Sequence, residues 1–544
     1  MKEAPWFSSS VIYGIDVRRF SDGNGDGIGD FIGLKERVSY LHYLGIDCVW
    51  LSPFFRSPFA DNGYDVSDYY SIDPVLGTLD DFLDFLHAAG EQGIRVVVDL
   101  VANHTSSEHP WFQAARRDAR CRFRDYYVWS ESPPPVAPDN KTAFPGEESS
   151  VWTYDDLAQA YYFHKFRHFQ PDLNIANPAV RDELLRVVDY WLTLGVDGFR
   201  VDAAPFVIGE TGIEHADPRD PQGFLREMRK LVDGRRQDGL LLGEADLAPE
   251  KLRSYFGDGK LDLLFNFVLC AAFAASLAGQ KADPIGQALS IMPEPPPHRG
   301  WANFLRNLDE LNLDRLPEDI REETFAAFAP DEEMRIYGRG IRRRLAPMLD
   351  GNRARIELAF SLLLSSPGVP LILYGDEIGL GEDLSRPGRE PVRVPMQWNA
   401  GSNAGFSTAQ RAKLVQPPVT DGPFSFKRVN VEAQREDPGS LLNRVRAMIL
   451  ARRRHELFNR GRPVMLHTGD PALFALAYSD GTELFVVLHN LSDGKRRAEL
   501  ELPGAIDARL NDILGEGEVE LSGQRLAIGL GPFGYVWLHS GKKD

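Results

Sequence analysis

Eight short runs rich in β-branched and aliphatic residues, spread over the first four fifths of the chain and mostly separated by stretches of helical periodicity, constrain this chain more than any other feature. They are VIYGIDV (11–17), CVWLSP (48–53), RVVVDLV (95–101), GFRVDA (198–203), LLLGEA (240–245), LLFNFVL (263–269), WANFLRN (301–307) and PLILYGDE (370–377). Apolar runs that alternate with helical segments are the pattern of parallel βαβ units, and eight is the number that closes a barrel. The expected fold is therefore α/β, a (β/α)8 TIM barrel. The interval 104–174 is about twice the length a crossover helix needs and carries turn-rich segments such as SESPPPVAPDNKTAFPGEESS, so it predicts a small inserted domain after the third strand. A second irregular stretch, 380–435, is expected to fold over the same rim. From 456 the pattern changes to short strands, PALFALAYS, TELFVVLHNL and RRAELEL among them, which predicts a C-terminal antiparallel β-sandwich. The expected domains are thus 1–103 with 175–455 for the barrel, 104–174 for the insert and 456–544 for the C-terminal unit.

A chain of 544 residues with 43% hydrophobic residues can bury a core of two or three domains. Its formal charge of −18 repels phosphate backbones and anionic lipid surfaces, so nucleic acid and membrane are excluded as expected partners and a small neutral substrate fits better. Cys48, Cys121 and Cys270 form no CxxC pair, which argues for reduced thiols rather than a redox or metal centre. The N-terminal MKEAPWFSSSVIYG lacks the basic and apolar regions of a signal peptide, and no long apolar run occurs; a cytoplasmic location is expected.

In such barrels the site lies at the C-terminal ends of the strands, where the βα loops converge. Asp99, Asp202 and Glu244 end the third, fourth and fifth runs, and Asp309 with Glu310 follow the seventh. Acids crowded at one mouth repel one another unless they bind a cation or carry out acid–base chemistry. Two carboxylates flanking a glycosidic bond can do the latter: one attacks the anomeric carbon while the other protonates the leaving oxygen.

The segments LVANHT (100–105), GFRVDA (198–203), GEADLAP (243–249) and NLDE (307–310), in this order, resemble the α-amylase superfamily of glycoside hydrolases and transglycosylases. The resemblance implies Asp202 as nucleophile, Glu244 as general acid/base and Asp309 as the carboxylate that holds the sugar hydroxyls. It further implies that Arg200 keeps the nucleophile ionised and that His104 hydrogen-bonds the sugar. ADNGYD (60–65), QPDLN (170–174) and RVPMQW (393–398) are similar to members that act on short α-glucosides, in which residues matching Asp61 and Arg393 pair to close the pocket and Tyr64 stacks on the sugar. Within the superfamily, NGDGIGDF (24–31), YYFHKFRHFQPDLN (161–174) and MRIYGRGIRRRLAPMLDGNRARIEL (334–358) are most similar to the trehalose synthase subgroup, which isomerises maltose to trehalose. That implies a retaining intramolecular transglucosylase. An exo-acting α-glucosidase and a catalytically weak sugar-binding paralogue remain as alternatives.

DGNGDGIGD (22–30) places oxygens of Asp22, Asn24, Asp26 and Asp30, with the Ile28 carbonyl, on a Gly-rich turn suited to structural Ca²⁺, although Gly33 stands where an EF-hand has its last glutamate. No organic cofactor is expected. The resemblance suggests a second cation at Asn103 and Asp172. Two departures stand out. After the nucleophile, Phe206, Val207, Ile208 and Gly209 replace the tyrosine and acid of the subgroup, and Leu308 replaces the histidine that usually precedes the third acid. That histidine donates to the reacting sugar, so its loss removes a donor expected to strengthen in the transition state.

Overall fold

The computed structural model describes residues 4–132, 134, 142–207, 222–257, 259–460, 462–503, 510–515, 518–519 and 524–540. Ile208 and Gly209 lie outside the described residues.

All eight predicted runs contribute strands to one closed parallel barrel. They are β1 (Ile12–Ile15), β2 (Cys48–Leu51), β3 (Arg95–Leu100), β4 (Gly198–Val201), β5 (Leu240–Gly243), β6 (Leu263–Phe265), β7 (Gly300–Phe304) and β8 (Val369–Leu373). Each pairs with its neighbours in chain order, and β1 closes on β8 through Ile12 opposite Leu371. The strands are shorter than the runs, for local reasons. In LLFNFVL the strand stops at Phe265 because the Asn266 side chain accepts from Leu269 N–H and caps the helix Phe267–Gly279. In PLILYGDE the strand stops at Leu373, and Gly375 at φ 85° turns the chain into a short 3₁₀ segment, Asp376–Ile378.

Between β3 and β4 stand the helix Pro110–Arg117 and a three-stranded antiparallel sheet of Trp129–Ser130, Trp152–Asp155 and Ala160–Phe163. This insert has a small core of Val128, Val151 and Phe163. Its return to the barrel is pinned where Leu173 N–H donates to the Asn103 carbonyl, 2.8 Å away. The C-terminal strands form a six-stranded sheet facing a two-stranded one, Arg496–Glu501 with Arg525–Leu530. Leu473, Ala475, Leu484, Val486, Leu488, Leu500, Leu526 and Leu538 fill the space between the two sheets. The opposite face, with Phe474, Leu476, Phe485, Val487 and Trp537, joins the barrel core. The strand Leu484–Asn490 is consequently buried on both faces, which is why it reads LFVVLHN with little polar alternation. Among the described residues no helix is long and apolar enough to cross a membrane.

Candidate active site

The strand ends bring the predicted acids to one place. Arg200 on β4 is 1% exposed, and its Nη1 meets Asp99 at 2.8 Å and the Asp202 carboxylate, while its Nη2 meets Glu244 Oε2 at 2.8 Å. Arg200 and Asp202 are two residues apart on an extended segment, so their side chains share a face. The aromatic rings of Trp50, Tyr64 and Phe265 surround the guanidinium at 5.3–5.7 Å, and Asp99 also accepts from Tyr64 Oη at 3.2 Å and Trp50 Nε1 at 3.3 Å. Glu244 Oε2 accepts a further bond from Ala203 N–H at 3.0 Å. Ala203 has φ 46°, a left-handed conformation that an alanine adopts only under constraint. That strain sits immediately after Asp202.

Three carboxylates thus share one guanidinium, and electrostatics follow. Burial raises the Glu244 pKa to about 7, opposed by Arg200 and reinforced by Asp202 and Asp309. Burial likewise pushes Asp202 and Asp99 upward against the pull of Arg200. Asp309 is different: burial raises it, but Arg389, Arg393 and Arg200 outweigh that and hold it below the usual range. Arg389 Nη1 lies 2.9 Å and Arg393 Nη2 3.3 Å from Asp309 Oδ1.

A stability consequence follows with a definite sign. Because the folded pKa of Glu244, about 7, lies above its ordinary value of 4.5, its favourable contribution is present below about pH 4.5 and lost as pH rises through 7. Glu244→Gln removes that dependence. The variant is expected to melt above the parent at pH 8, by roughly 1–3 kcal/mol of stability, and to converge with it near pH 4.5; thermal melts across this range check it.

The remaining predicted residues fall around this centre. His104 is buried, with Nε2 3.2 Å from the Tyr64 carbonyl and Nδ1 3.3 Å from Asn103 Nδ2. Burial lowers its pKa to about 4, so the ring is neutral. Asp61 and Arg393 do not pair with each other. Gln170 Nε2 donates to Asp61 at 2.9 Å and Arg167 lies 3.6 Å away, whereas Arg393 turns to Asp309 and to the Leu308 carbonyl at 3.1 Å. The insert supplies a nearer cation for Asp61, and the third acid a nearer anion for Arg393.

A cavity of about 330 Å³ opens beside these groups, lined by Lys165, Phe166, Phe206, Glu244, Asp309 and Arg389 among others. Asp202, 6% exposed, lies next to its wall at Ala203. Arg389, Lys165 and Phe166 were not singled out by sequence reasoning. Arg389 stands four residues before Arg393 in a segment without periodicity, and its proximity to RVPMQW was the one available signal.

In the Gly-rich loop the oxygens engage backbone amides. Asp22 accepts from Gly25 N–H at 2.7 Å and Gly27 N–H at 2.8 Å, Asn24 from Asp26 N–H and Asp26 from Ile28 N–H, both at 2.8 Å, and Asp30 from Gly33 N–H at 2.7 Å. Gly27, at φ 104°, lies so close to the Lys413 carbonyl that a Cβ would sit 2.3 Å from it, which fastens the loop to the 407–415 stretch. The donor chemistry fits a hard cation. Among the described residues, however, no three acidic, His or Cys side chains converge as a ready metal site. Asp172, paired with Asn103 and with Lys165 N–H, has its pKa raised to about 7 by burial, with the Lys165 charge opposing. A positive charge therefore already stands near that pair.

Over 506 residues the chain is 42% identical to the trehalose synthase/amylase TreS of Mycobacterium tuberculosis, covering 91% of this chain and 84% of that one. It is 30% identical to the oligo-1,6-glucosidase of Parageobacillus thermoglucosidasius, covering 94% of each. The crystal structure of the trehalulose synthase MutB from Pseudomonas mesoacidophila MX-45 superposes with a TM-score of 0.77 at 25% identity, covering 99% of this chain and 100% of that one. The alpha amylase catalytic-domain family matches residues 14–310 and 318–461, and the chain belongs to that family.

Proposed function

We propose that this chain is a retaining α-glucosyl transferase that acts on short saccharides and converts maltose to trehalose through a glucosyl-enzyme. The observation that carries the reading is the single Arg200 guanidinium holding Asp202 on one nitrogen and Glu244 on the other. Sharing one guanidinium keeps the two carboxylates close, as the roughly 5 Å spacing of a retaining pair requires. Asp202 is the nucleophile by its place in GFRVDA at the end of β4 and by its depth. Burial raises its pKa to about 7 as it does that of Glu244, and Arg200 touches both, so position and depth separate the two roles. Glu244, more exposed and with its pKa raised to about 7, can be protonated at neutral pH and give that proton to the departing sugar oxygen. Asp309, kept ionised by Arg389 and Arg393, binds sugar hydroxyls and balances positive charge on the ring. Isomerisation further requires that the released glucose stay in place and that water stay out.

Greater similarity to a trehalose synthase than to an oligo-1,6-glucosidase favours isomerisation over hydrolysis. Incubating the protein with maltose and following the sugars by NMR tests this: trehalose as the main product supports it, glucose alone favours the exo-acting α-glucosidase, and no reaction on maltose, sucrose or trehalose excludes both. Binding of maltose without turnover would point to a sugar-binding paralogue. The three free cysteines, two of them buried, suit a reducing, cytoplasmic setting.

Calcium in the Gly-rich loop belongs to the same proposal, held by Asp22, Asn24, Asp26, Asp30 and the Ile28 carbonyl. Asp22 Oδ1, Asn24 Oδ1 and Asp26 Oδ1 each retain a lone pair beyond the one an amide takes, whereas Asp22 Oδ2 and both Asp30 oxygens already accept two bonds and would exchange one for the ion. Stripping the protein with a chelator is expected to lower its Tm by several degrees, with recovery on adding Ca²⁺ but not Mg²⁺. Metal analysis should return one ion per chain, and a second would be assigned to Asn103 and Asp172. A Tm indifferent to chelator would remove the ion from the proposal.

A further inference from the structure

The usual histidine donor is replaced here by Leu308, and neither part of that residue serves the pocket. Its side chain is 2% exposed and belongs to the core, and its carbonyl accepts from Arg393 Nε. Arg200, Arg393 and His104 do not line the cavity. Arg200 holds three carboxylates, Arg393 holds Asp309 and the Leu308 carbonyl and keeps its remaining Nη1 buried without a hydrogen bond among the described residues, and both nitrogens of His104 are engaged by protein atoms.

Arg389 is placed differently. Its Nη1 binds Asp309 Oδ1 at 2.9 Å, and its Nε lies 2.8 Å from Glu310 Oε2. The faces of Phe144, at 4.8 Å, and Tyr337, at 5.7 Å, further fix the plane of the guanidinium. Among the described residues Nη1 carries the hydrogen bond of this guanidinium; Nε is buried in ionic contact with Glu310 without a hydrogen bond, Nη2 makes none either but is not buried away, and the residue lines the cavity it shares with Glu244 and Asp309. We propose that Arg389 donates from Nη2 directly to a hydroxyl of the glucosyl unit, replacing the donor that Leu308 lacks. The hydroxyl is one that Asp309 also binds, because both groups meet at Asp309 Oδ1. Two carboxylates, Asp309 and Glu310, offset the charge of Arg389, so the donor adds little net positive field where the sugar itself becomes positive. A guanidinium can hold the acid and the sugar at once because its N–H groups form a planar fork, which an ammonium does not provide.

This inference rests on the α-glucoside reading, and its test separates the two. kcat/KM is measured for α-glucosyl fluoride and its 2-deoxy and 3-deoxy analogues with the wild type, Arg389→Met and Arg389→Lys, after circular dichroism has confirmed folding. Arg389→Met is expected to lose about 100-fold or more on the parent fluoride but under about tenfold on the analogue lacking the bound hydroxyl. Arg389→Lys should show the same pattern at smaller amplitude. Binding of 1-deoxynojirimycin, which requires no turnover, should weaken at least about tenfold in Arg389→Met by calorimetry. Equal losses on all three fluorides, or none on any, would overturn the assignment. A wild type that binds the inhibitor but leaves α-glucosyl fluoride intact would instead count against the catalytic reading.

Discussion

Asp202→Asn is expected to lower turnover of maltose by at least about 10⁴-fold without lowering the Tm. Asparagine has the shape of aspartate but no charge with which to attack an anomeric carbon, so the covalent step is lost while packing is kept. Stability is preserved for an electrostatic reason. Asp99, Asp202 and Glu244 compete for the single Arg200, and each is pushed upward in pKa by burial. Removing one negative charge leaves Arg200 with two carboxylates and relieves repulsion among the rest. A Tm equal to or above the parent, together with lost turnover, is therefore the expected pair of results. Replacing Asp202 with Gly and adding azide extends the test: the small anion should enter from the vacated side and give the β-glucosyl azide, inverted at the anomeric carbon. Turnover above about 1% of the parent in Asp202→Asn would require another nucleophile.

The barrel and its acids were legible because each depends on a local and repeated signal. Strand and helix periods mark the βαβ units, and an acid at the end of a strand must face the mouth once the barrel closes, as Asp99, Asp202 and Glu244 do. The exact stops of the strands were less legible, since Asn266 and Gly375 end them by capping and turning within otherwise apolar runs. The pairing of Asp61 and Arg393 failed because it depended on two loops with no periodic pattern. Which cation reaches Asp61 is decided by how the insert folds over the rim, and Arg167 arrives there before Arg393 can. Arg389 was missed for the same reason: its role comes from a tertiary contact with Asp309 that no spacing encodes. In the Gly-rich loop the spacing was read as a set of calcium ligands, and the same spacing lets Asp22, Asn24 and Asp30 accept from amides of their own turn, so one pattern serves both arrangements.

The reaction also predicts that the loss in Glu244→Ala depends on the leaving group. A sugar alcohol leaves poorly without a proton, so on maltose the variant is expected to fall by about 10³- to 10⁴-fold. Fluoride leaves without protonation, so on α-glucosyl fluoride formation of the glucosyl-enzyme should fall by less than about tenfold, with the intermediate then accumulating because the same residue no longer activates the acceptor. Azide needs no base and should release that intermediate as α-glucosyl azide, the anomer opposite to that from Asp202→Gly. The contrast separates the two acids chemically, though both bind the same guanidinium. It also separates Glu244 from a purely structural role. Loss of the bond from Ala203 N–H and of the contact to Arg200 would disturb both substrates alike. Equal losses on maltose and the fluoride would therefore mean that Glu244 holds Ala203 and Arg200 in position, and that the proton comes from elsewhere.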